Sequence, residues 1–546
     1  MTLRRATGLL ALALGPVLVL GVFFVLPVGG MLARGLWPDG TFDPGAVAEV
    51  LTRPRVRRVL GNTAWFAASA TLLSLGLGLP AAYALHRLAF PLRRVLRAVL
   101  LVPFVLPTVV VGVAFKQLLG ESGPLGSLGL DGTPVAVILG LAFFNVSVVI
   151  RVVGSAWESL DQRPAEAAAA LGASPVQVFR TVTLPALRPA IVSAASVVFL
   201  FCAAGFGVVL TLGGLRYATV ETEIYLLTTN LLDLQAAAAL SILQLVVVSV
   251  LLAVAGRLRA VADPGVSRVV ARPRRPRLAD VPVLAATVLL LLFVGVPVLT
   301  LVAGSLQVDG EWSLGNYRAL GGTGDQQALL VPVTEALAFS LRTAVDATWM
   351  SLLLGLLVGV VVTRRSRSRG ERRVRAALDG FFMLPLGVSA VTVGFGFLIT
   401  LDRPPLDLRD SALLVPVAQA LVALPLVVRT LVPVLQGIDD RQRQAAASLG
   451  AGPLRTALTV DLPVIWKPLL AAAGFAFAVS LGEFGATSFL ARDDRPTVPI
   501  VIFRLIGHPG AMNYGMALAA SVVLAATTAL VMLLVERLRV PSVGAF

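Results

Sequence analysis

The chain has 546 residues, of which 57% are hydrophobic and only 14% are charged, with a mean hydropathy of +0.88. Soluble domains carry about 25% charged residues, so this composition excludes an ordinary soluble protein and indicates a chain embedded in a lipid bilayer. The net charge of +15 comes almost wholly from arginines that lie in short segments beside apolar runs. Membrane topology explains that pattern better than nucleic-acid binding does, and we expect no nucleic-acid partner.

Metal and redox chemistry have few residues to build on in this sequence. Cys202 is the only cysteine, and it lies in an apolar run, which excludes an intrachain disulfide and cysteine-rich metal sites. The two histidines, His86 and His508, lie far apart and in no ligand-like cluster. We therefore expect no metal site in this chain.

Twelve apolar segments are long enough to cross a bilayer core, which takes about 20 residues in a helix. The first is longer than the apolar part of a secretory signal, so we predict that it is a retained membrane helix. The predicted fold class is an all-α polytopic membrane protein with about 12 transmembrane helices. The segments cover residues 7–32, 61–85, 96–119, 134–155, 190–212, 236–256, 281–305, 338–362, 376–400, 411–433, 468–490 and 513–535.

Arginines are concentrated in alternate connections between these segments. The connections 257–280 and 363–375 hold seven arginines each, whereas the opposite connections carry acids such as Glu221 and Glu223. The positive-inside rule therefore predicts cytoplasmic N- and C-termini. The segment TRPRVRR at 52–58 is a local exception, because it would be external.

A polar stretch recurs at an offset of 278 residues, once in each half of the chain. Glu166–Pro189 reads EAAAALGASPVQVFRTVTLPALRP, and Gln444–Pro468 reads QAAASLGAGPLRTALTVDLPVIWKP. In both copies the glycine precedes the proline of the Leu-Pro pair by 13 residues. The alanines favour a helix that the glycine ends, and we predict a second short helix that stops at Leu184-Pro185.

The repeat extends beyond these loops and divides the chain into two domains. Six helices in each repeat, both beginning inside, make the halves parallel repeats related by an axis along the membrane normal. The predicted domains are 1–262 with loop 163–189 and 281–546 with loop 441–468, joined by an Arg/Pro-rich cytoplasmic linker at 263–280. The matched segments 216–225 and 493–503 are predicted to be re-entrant or interfacial elements that face a delivery protein.

The doubled pattern of EAA, Gly and Leu-Pro resembles the EAA loops of binding-protein-dependent ABC importer permeases. The resemblance covers essentially the whole chain and implies a bacterial cytoplasmic-membrane protein whose loops dock on a homodimeric ABC ATPase. It also implies an extracytoplasmic solute-binding protein as the second partner. Gln444 departs from the family's glutamate, which implies unequal ATPase contacts. The matching loop residues are Glu166, Ala167, Ala168, Gly172 and Pro185, and then Gln444, Ala445, Ala446, Gly450 and Pro463.

The cargo is predicted within this family from the pattern GEFGA, DDRPTVP and IFRLIG. It is similar to fused two-repeat permeases for thiamine or ferric iron, and sulfate, molybdate and polyamine permeases share much of it. The sequence contains no GxxxxGKS/T phosphate loop and no catalytic triad pattern, so we expect no catalytic residue and no cofactor on this chain. ATP and Mg²⁺ would bind the partner ATPase. An ion-driven secondary transporter and a membrane scaffold or enzyme remain alternatives.

One acidic residue is predicted to lie at membrane depth, where charges are costly and usually functional. Glu483 adjoins Phe484-Gly485, and its equivalent in the first half is Gly205. We predict that Glu483 lines or gates the translocation path, with a helix-end carboxylate bonded to local backbone or water as the alternative. The predicted path comprises Gly205, Phe206, Gly207, Glu483, Phe484 and Gly485.

Overall fold

The computed structural model describes residues 13–37, 40–100, 102–261, 273–363, 369–402 and 406–538, and these are mostly helical. The sheet within them is one antiparallel hairpin of β1 (Gln307–Val308) and β2 (Glu311–Trp312). Ten described helices are long and apolar enough to cross a membrane, or eleven when a bent pair counts as one span. The predicted all-α fold of about twelve spans is confirmed in class.

The first half of the chain contains five long apolar helices, one bent pair and several short helices. In chain order they are α1 (Ala13–Leu36), α2 (Pro44–Thr52), α3 (Pro54–Arg87), α4 (Arg93–Val99), α5 (Val102–Val105), α6 (Thr108–Leu119), α7 (Pro134–Ser159), α8 (Arg163–Ala170), α9 (Pro175–Ala203), α10 (Gly207–Gly213), α11 (Val220–Thr229) and α12 (Leu234–Val261).

The second half repeats this order. Its helices are α13 (Val281–Ser305), α14 (Gly315–Ala319), α15 (Val333–Thr363), α16 (Arg369–Met383), α17 (Ala390–Thr400), α18 (Leu414–Gly437), α19 (Asp440–Ser448), α20 (Ala457–Leu481, preceded by the turn Pro453–Thr456), α21 (Thr487–Leu490), α22 (Val498–Gly507) and α23 (Ala511–Leu538). Short 3₁₀ turns lie at Gly126–Leu128, Leu278–Asp280, Asp325–Gln327 and Leu384–Gly387.

Equivalent helices begin at equivalent positions in the two halves. α22 begins at Val498 and α11 at Val220, which gives 498 − 220 = 278. The π-helical turns Phe179–Thr183 and Ala457–Asp461 correspond at the same offset. The sequence repeat is therefore a repeat of structure, down to local irregularities of the helices.

Two predicted spans are broken rather than straight. Within 96–119, the chain bends by 103° between Val95–Val105 and Thr108–Leu119. Within 376–400, the 3₁₀ turn Leu384–Gly387 separates α16 from α17. Pro107 and Pro385 lie at these breaks, where a proline lacks the N–H that a continuing helix would need.

The prediction that Leu184-Pro185 ends a short helix is wrong. The helix continues through Pro185 to Ala203, because a π-helical turn precedes the proline. In that turn the Leu184 N–H donates to the carbonyl of Phe179, five residues back rather than four. The wider turn places Pro185 at the start of a new α-helical segment, where a proline is tolerated. The predicted spans at 190–212 and 468–490 likewise end early, at Ala203 and Leu481.

The two halves interlock through their first helices. α1 packs on α12 of its own half and on α17 of the other half. In the same way α13 packs on α23 of its own half and on α3 and α6 of the first half. The domain limits near residues 262 and 281 stay a prediction. Residues 262–272 of the predicted linker lie outside the described residues, and Arg274 at its end forms two 2.7 Å contacts with the Asp280 carboxylate.

The arginines at 52–58, an exception to the positive-inside rule, have acidic partners. Arg53 pairs with Asp233 at 2.8 Å, and Arg55 forms two hydrogen bonds with the Glu223 carboxylate. The expectation that Glu221 and Glu223 lie in an exposed connection is wrong, since both side chains are buried. Pairing with acids of α11 explains why these arginines lie on the otherwise acidic side.

Candidate coupling loops and translocation path

The two repeated loops end their first helix in the same way. After α8, Gly172 has a φ of +87°, and the Ala173 N–H donates to the Ala168 carbonyl at 3.1 Å. After α19, Gly450 has a φ of +80° and is followed by the equivalent bond. This is a Schellman-type end, which needs a left-handed residue and therefore favours glycine. The sequence signal of a helix-ending glycine is confirmed in its geometry.

Each loop presents one large apolar side chain at its tip. Leu171 is 89% exposed and Leu449 is 87% exposed, each directly before the loop glycine. Exposed apolar side chains in an otherwise polar segment are typical of protein contact surfaces. The sequence reasoning did not select these leucines, although the triplet Leu-Gly-Ala occurs in both loops and could have identified them.

The loops differ in how their two helices are held together. In the second loop Arg443 bridges Asp440 at 3.2 Å and Asp461 at 2.8 Å, which fixes α19 against the beginning of α20. The first loop has Gln162, Ala165 and Thr183 at the equivalent positions and cannot form this bridge. Glu166 of the first loop instead lies near enough to Arg87 to attract it electrostatically.

The remaining predicted loop residues follow the same plan. Pro185 and Pro463 lie at the first positions of α-helical segments that follow the π-helical turns. Gln444 accepts a hydrogen bond on its backbone carbonyl from Ser448 at 3.0 Å. The predicted residues on the first helices are Glu166, Ala167 and Ala168 on α8, and Gln444, Ala445 and Ala446 on α19.

An aromatic cluster lies where the two halves meet, at the far ends of α9 and α20 from the loops. The rings of Phe206 and Phe484, equivalent residues of the two repeats, stack with centroids 5.2 Å apart. Tyr225 packs on Phe206 and Phe503 packs on Phe484, both at 5.5 Å. Tyr225 and Phe503 are also repeat equivalents, so the cluster has the two-fold character of the chain. It is buried at its centre and closes the interface.

The predicted path glycines permit close packing around these rings. A Cβ added at Gly207 would lie 3.2 Å from Cδ1 of Phe484, and one at Gly485 would lie 2.9 Å from Cβ of Ala390. One at Gly205 would lie 2.5 Å from Cδ2 of Leu141. The structure thus brings the six predicted path residues to one interface. Their role in transport stays a prediction.

Glu483 is buried and hydrogen-bonded to the backbone just after it. Its carboxylate accepts from the N–H groups of Ala486 at 2.7 Å and Thr487 at 3.0 Å, at the beginning of α21. This is the local backbone bonding that the sequence analysis named as the alternative. The carboxylate also adjoins the stacked Phe484, so its gating role remains a prediction.

A cavity of about 640 Å³ opens on the side away from the loops. Its wall reaches Phe489, whose ring lies 5.5 Å from that of Tyr225 in the aromatic cluster. Arg492 pairs with Asp410 and Asp494 at its rim, and the hydrogen bond from Arg492 lowers the pKa of Asp494. The charged lining residues are Asp402, Arg409, Asp410, Arg492, Asp493 and Asp494.

Known proteins resemble this chain over most of its length. The Escherichia coli (strain K12) protein "Thiamine transport system permease protein ThiP" is 30% identical over 81% of this chain and 82% of its own. Its namesake from Brucella abortus (strain 2308) is 27% identical over 93% and 92%. "Ferric transport system permease protein FbpB" from Actinobacillus pleuropneumoniae is 24% identical over 92% of this chain and 74% of its own.

The family model described as "Binding-protein-dependent transport system inner membrane component" matches the chain twice. The matches cover residues 74–268 and 351–540, which together exceed half of the chain. Each match includes one of the two loops. The chain is thus a multi-pass inner-membrane permease subunit, and it belongs to the family of binding-protein-dependent transport system inner membrane components in a fused form that carries the family's unit twice.

Proposed function

We propose that this chain is the permease of an ATP-driven importer that carries thiamine delivered by an extracytoplasmic binding protein. The observation that supports it most is the pair of equivalent loops, each with a left-handed glycine and an exposed leucine. The cargo is inferred from the thiamine permeases that resemble the chain along almost its whole length.

The two loops suit a homodimeric ATPase, because two equivalent protrusions need two equivalent sockets. Leu171 and Leu449 would enter those sockets, with Glu166 and Gln444 beside them. ATP and Mg²⁺ would be bound by that partner, and both termini of this chain would lie on its side of the membrane. The Arg443 bridge stiffens the second loop, so the two sockets would meet loops of unequal rigidity.

Continuous helices connect the loops to the aromatic cluster. α9 is a 29-residue helix that begins in the first loop and ends three residues before Phe206. At about 1.5 Å per residue its length is about 43 Å, enough to span a bilayer. α20 makes the same connection between the second loop and Phe484. Movement of the loops by the ATPase would tilt both helices and separate the stacked rings, which gives alternating access.

The path would begin at the cavity on the opposite side. A docked binding protein would release its cargo beside Asp402 and Asp410, close to Phe489. Separation of Phe206 from Phe484 would then open the way between the halves. Glu483 would act at this step as the fixed carboxylate behind the gate.

Ferric iron is the second candidate cargo, because a ferric permease also matches over 92% of this chain. The test uses cells that lack their own thiamine and iron importers. They express this chain with its cognate ATPase and binding protein, and labelled thiamine and labelled ferric iron are supplied separately. We expect thiamine to accumulate only when all three components are present. Accumulation of iron alone would favour the second candidate, and accumulation of neither would refute both cargoes.

A further inference from the structure

A buried polar cluster joins the two halves beside the aromatic cluster. The Glu221 carboxylate accepts a hydrogen bond from Oγ of Ser389 at 3.0 Å and another from Nε2 of Gln244. The Thr392 hydroxyl donates to the Gln244 carbonyl at 3.5 Å, and its N–H donates to Oγ of Ser389 at 3.1 Å. Glu221 and Gln244 belong to the first half, while Ser389 and Thr392 begin α17 of the second.

The carboxylate of Glu221 has only neutral partners within the described residues. Its side chain is fully buried, and the groups acting on it there are Gln244 and Ser389. By contrast Glu223, two residues on, pairs with Arg55. A buried carboxylate without a cation is costly, and such groups mark ion and substrate pathways in membrane proteins.

This polar cluster is confined to one side of the repeat. The equivalent positions are apolar, which sets it apart from the aromatic cluster, whose members recur in both halves. A structural bond needed by each repeat unit would be expected twice. The equivalents of Glu221, Gln244, Ser389 and Thr392 are Pro499, Val522, Pro107 and Val110.

Opening of the gate would expose the carboxylate and the rings together. Glu221 and Tyr225 lie four residues apart on α11 and therefore on one face of it, and Tyr225 packs on Phe206. Separation of the halves breaks the bond from Ser389 to Glu221 and the stack of Phe206 on Phe484. A carboxylate would then adjoin several aromatic faces, a combination that binds a cation attached to an aromatic ring.

From this arrangement we infer that Glu221 is the cargo-recognition carboxylate inside the membrane path, for an organic cation with an aromatic ring. Gln244, Ser389 and Thr392 hold it when the path is closed. The inference rests on the proposed import function and adds the residue that selects for positive charge. Glu221 contacts cargo only in the open path, whereas Glu483 is bonded to its own backbone.

The test compares three single variants in the complete complex with ATPase and binding protein, reconstituted in vesicles, with labelled thiamine as probe. Glu221→Gln removes the charge but keeps an amide that can bond to Ser389. Glu221→Asp keeps the charge on a shorter side chain. Glu49→Gln makes the same chemical change at an exposed glutamate and serves as the control.

We expect Glu221→Gln to lower kcat/KM for thiamine uptake at least tenfold while ATP hydrolysis stimulated by the binding protein is retained. Glu221→Asp should recover at least a third of wild-type uptake, and Glu49→Gln should equal wild type. Uptake by Glu221→Gln within twofold of wild type would overturn the inference. So would equal losses in the Gln and Asp variants, because packing rather than charge would then be responsible. No uptake by the wild-type complex would refute the proposed function itself, and the inference with it.

Discussion

Replacement of the loop glycines by alanine should weaken the attachment of the ATPase without disturbing the membrane helices. Gly172 and Gly450 have φ values of +87° and +80°, and an added Cβ would meet no atom within 4 Å at either position. The substitution therefore introduces backbone strain and no collision. An L-residue in the left-handed region costs about 1–2 kcal/mol. Because about 1.4 kcal/mol is a factor of ten, the docking conformer should become about 5- to 30-fold rarer in each loop.

The assay is a titration of the ATPase subunit onto the permease in lipid nanodiscs. Gly172→Ala and Gly450→Ala should each raise the dissociation constant by about 5- to 30-fold, and the double variant by about the product if the loops act independently. The matched control is Gly452→Ser, which lies in the same loop and introduces the serine found at the equivalent position 174. Affinities of the alanine variants within twofold of wild type would refute the role of these loop ends in docking.

Three further predictions concern the bridge, the rings and the gate carboxylate. Arg443→Ala removes the contacts to Asp440 and Asp461 and should weaken ATPase binding by about three- to tenfold, as the loss of about 0.5–1.5 kcal/mol implies, whereas Ala165→Gly in the first loop should have less effect; equal effects would argue against the bridge. Phe206→Ala combined with Phe484→Ala should let small solutes leak through vesicles without ATP, and tight vesicles would show that the stack does not close the path. Glu483→Gln turns an amide towards two backbone N–H groups and should lower both uptake and thermal stability, by about 1–3 kcal/mol for the latter; unchanged uptake at normal expression would remove its gating role.

The repeat made much of this fold predictable from sequence. Because the loops recur with the same 13-residue spacing, the positions of Gly172 and Gly450 and the identity of the family could be inferred together. Hydropathy located the long helices, since a bilayer sets their length. It could not show the breaks at Pro107 and Pro385, because broken and continuous apolar segments have the same composition.

Tertiary contacts explain what the sequence reasoning missed. The continuity of α9 through Pro185 depends on a π-helical turn, which residue propensities do not encode. Glu221 was placed in an external connection because its charge was read without knowledge of α12 and α17, which bury it. The leucines at the loop tips were overlooked because apolar residues are ordinary in this chain, and only their exposure distinguishes them.

The central claim is that this chain forms a path opened by a separate ATPase through the two loops. The most direct measurement is labelled thiamine uptake into vesicles that contain the chain with its ATPase, with binding protein and thiamine outside and ATP inside. The account predicts accumulation that requires ATP, the ATPase and the binding protein, and that is reduced at least fivefold in the double variant Gly172→Ala and Gly450→Ala. Thiamine transport by the isolated chain without ATP would contradict it.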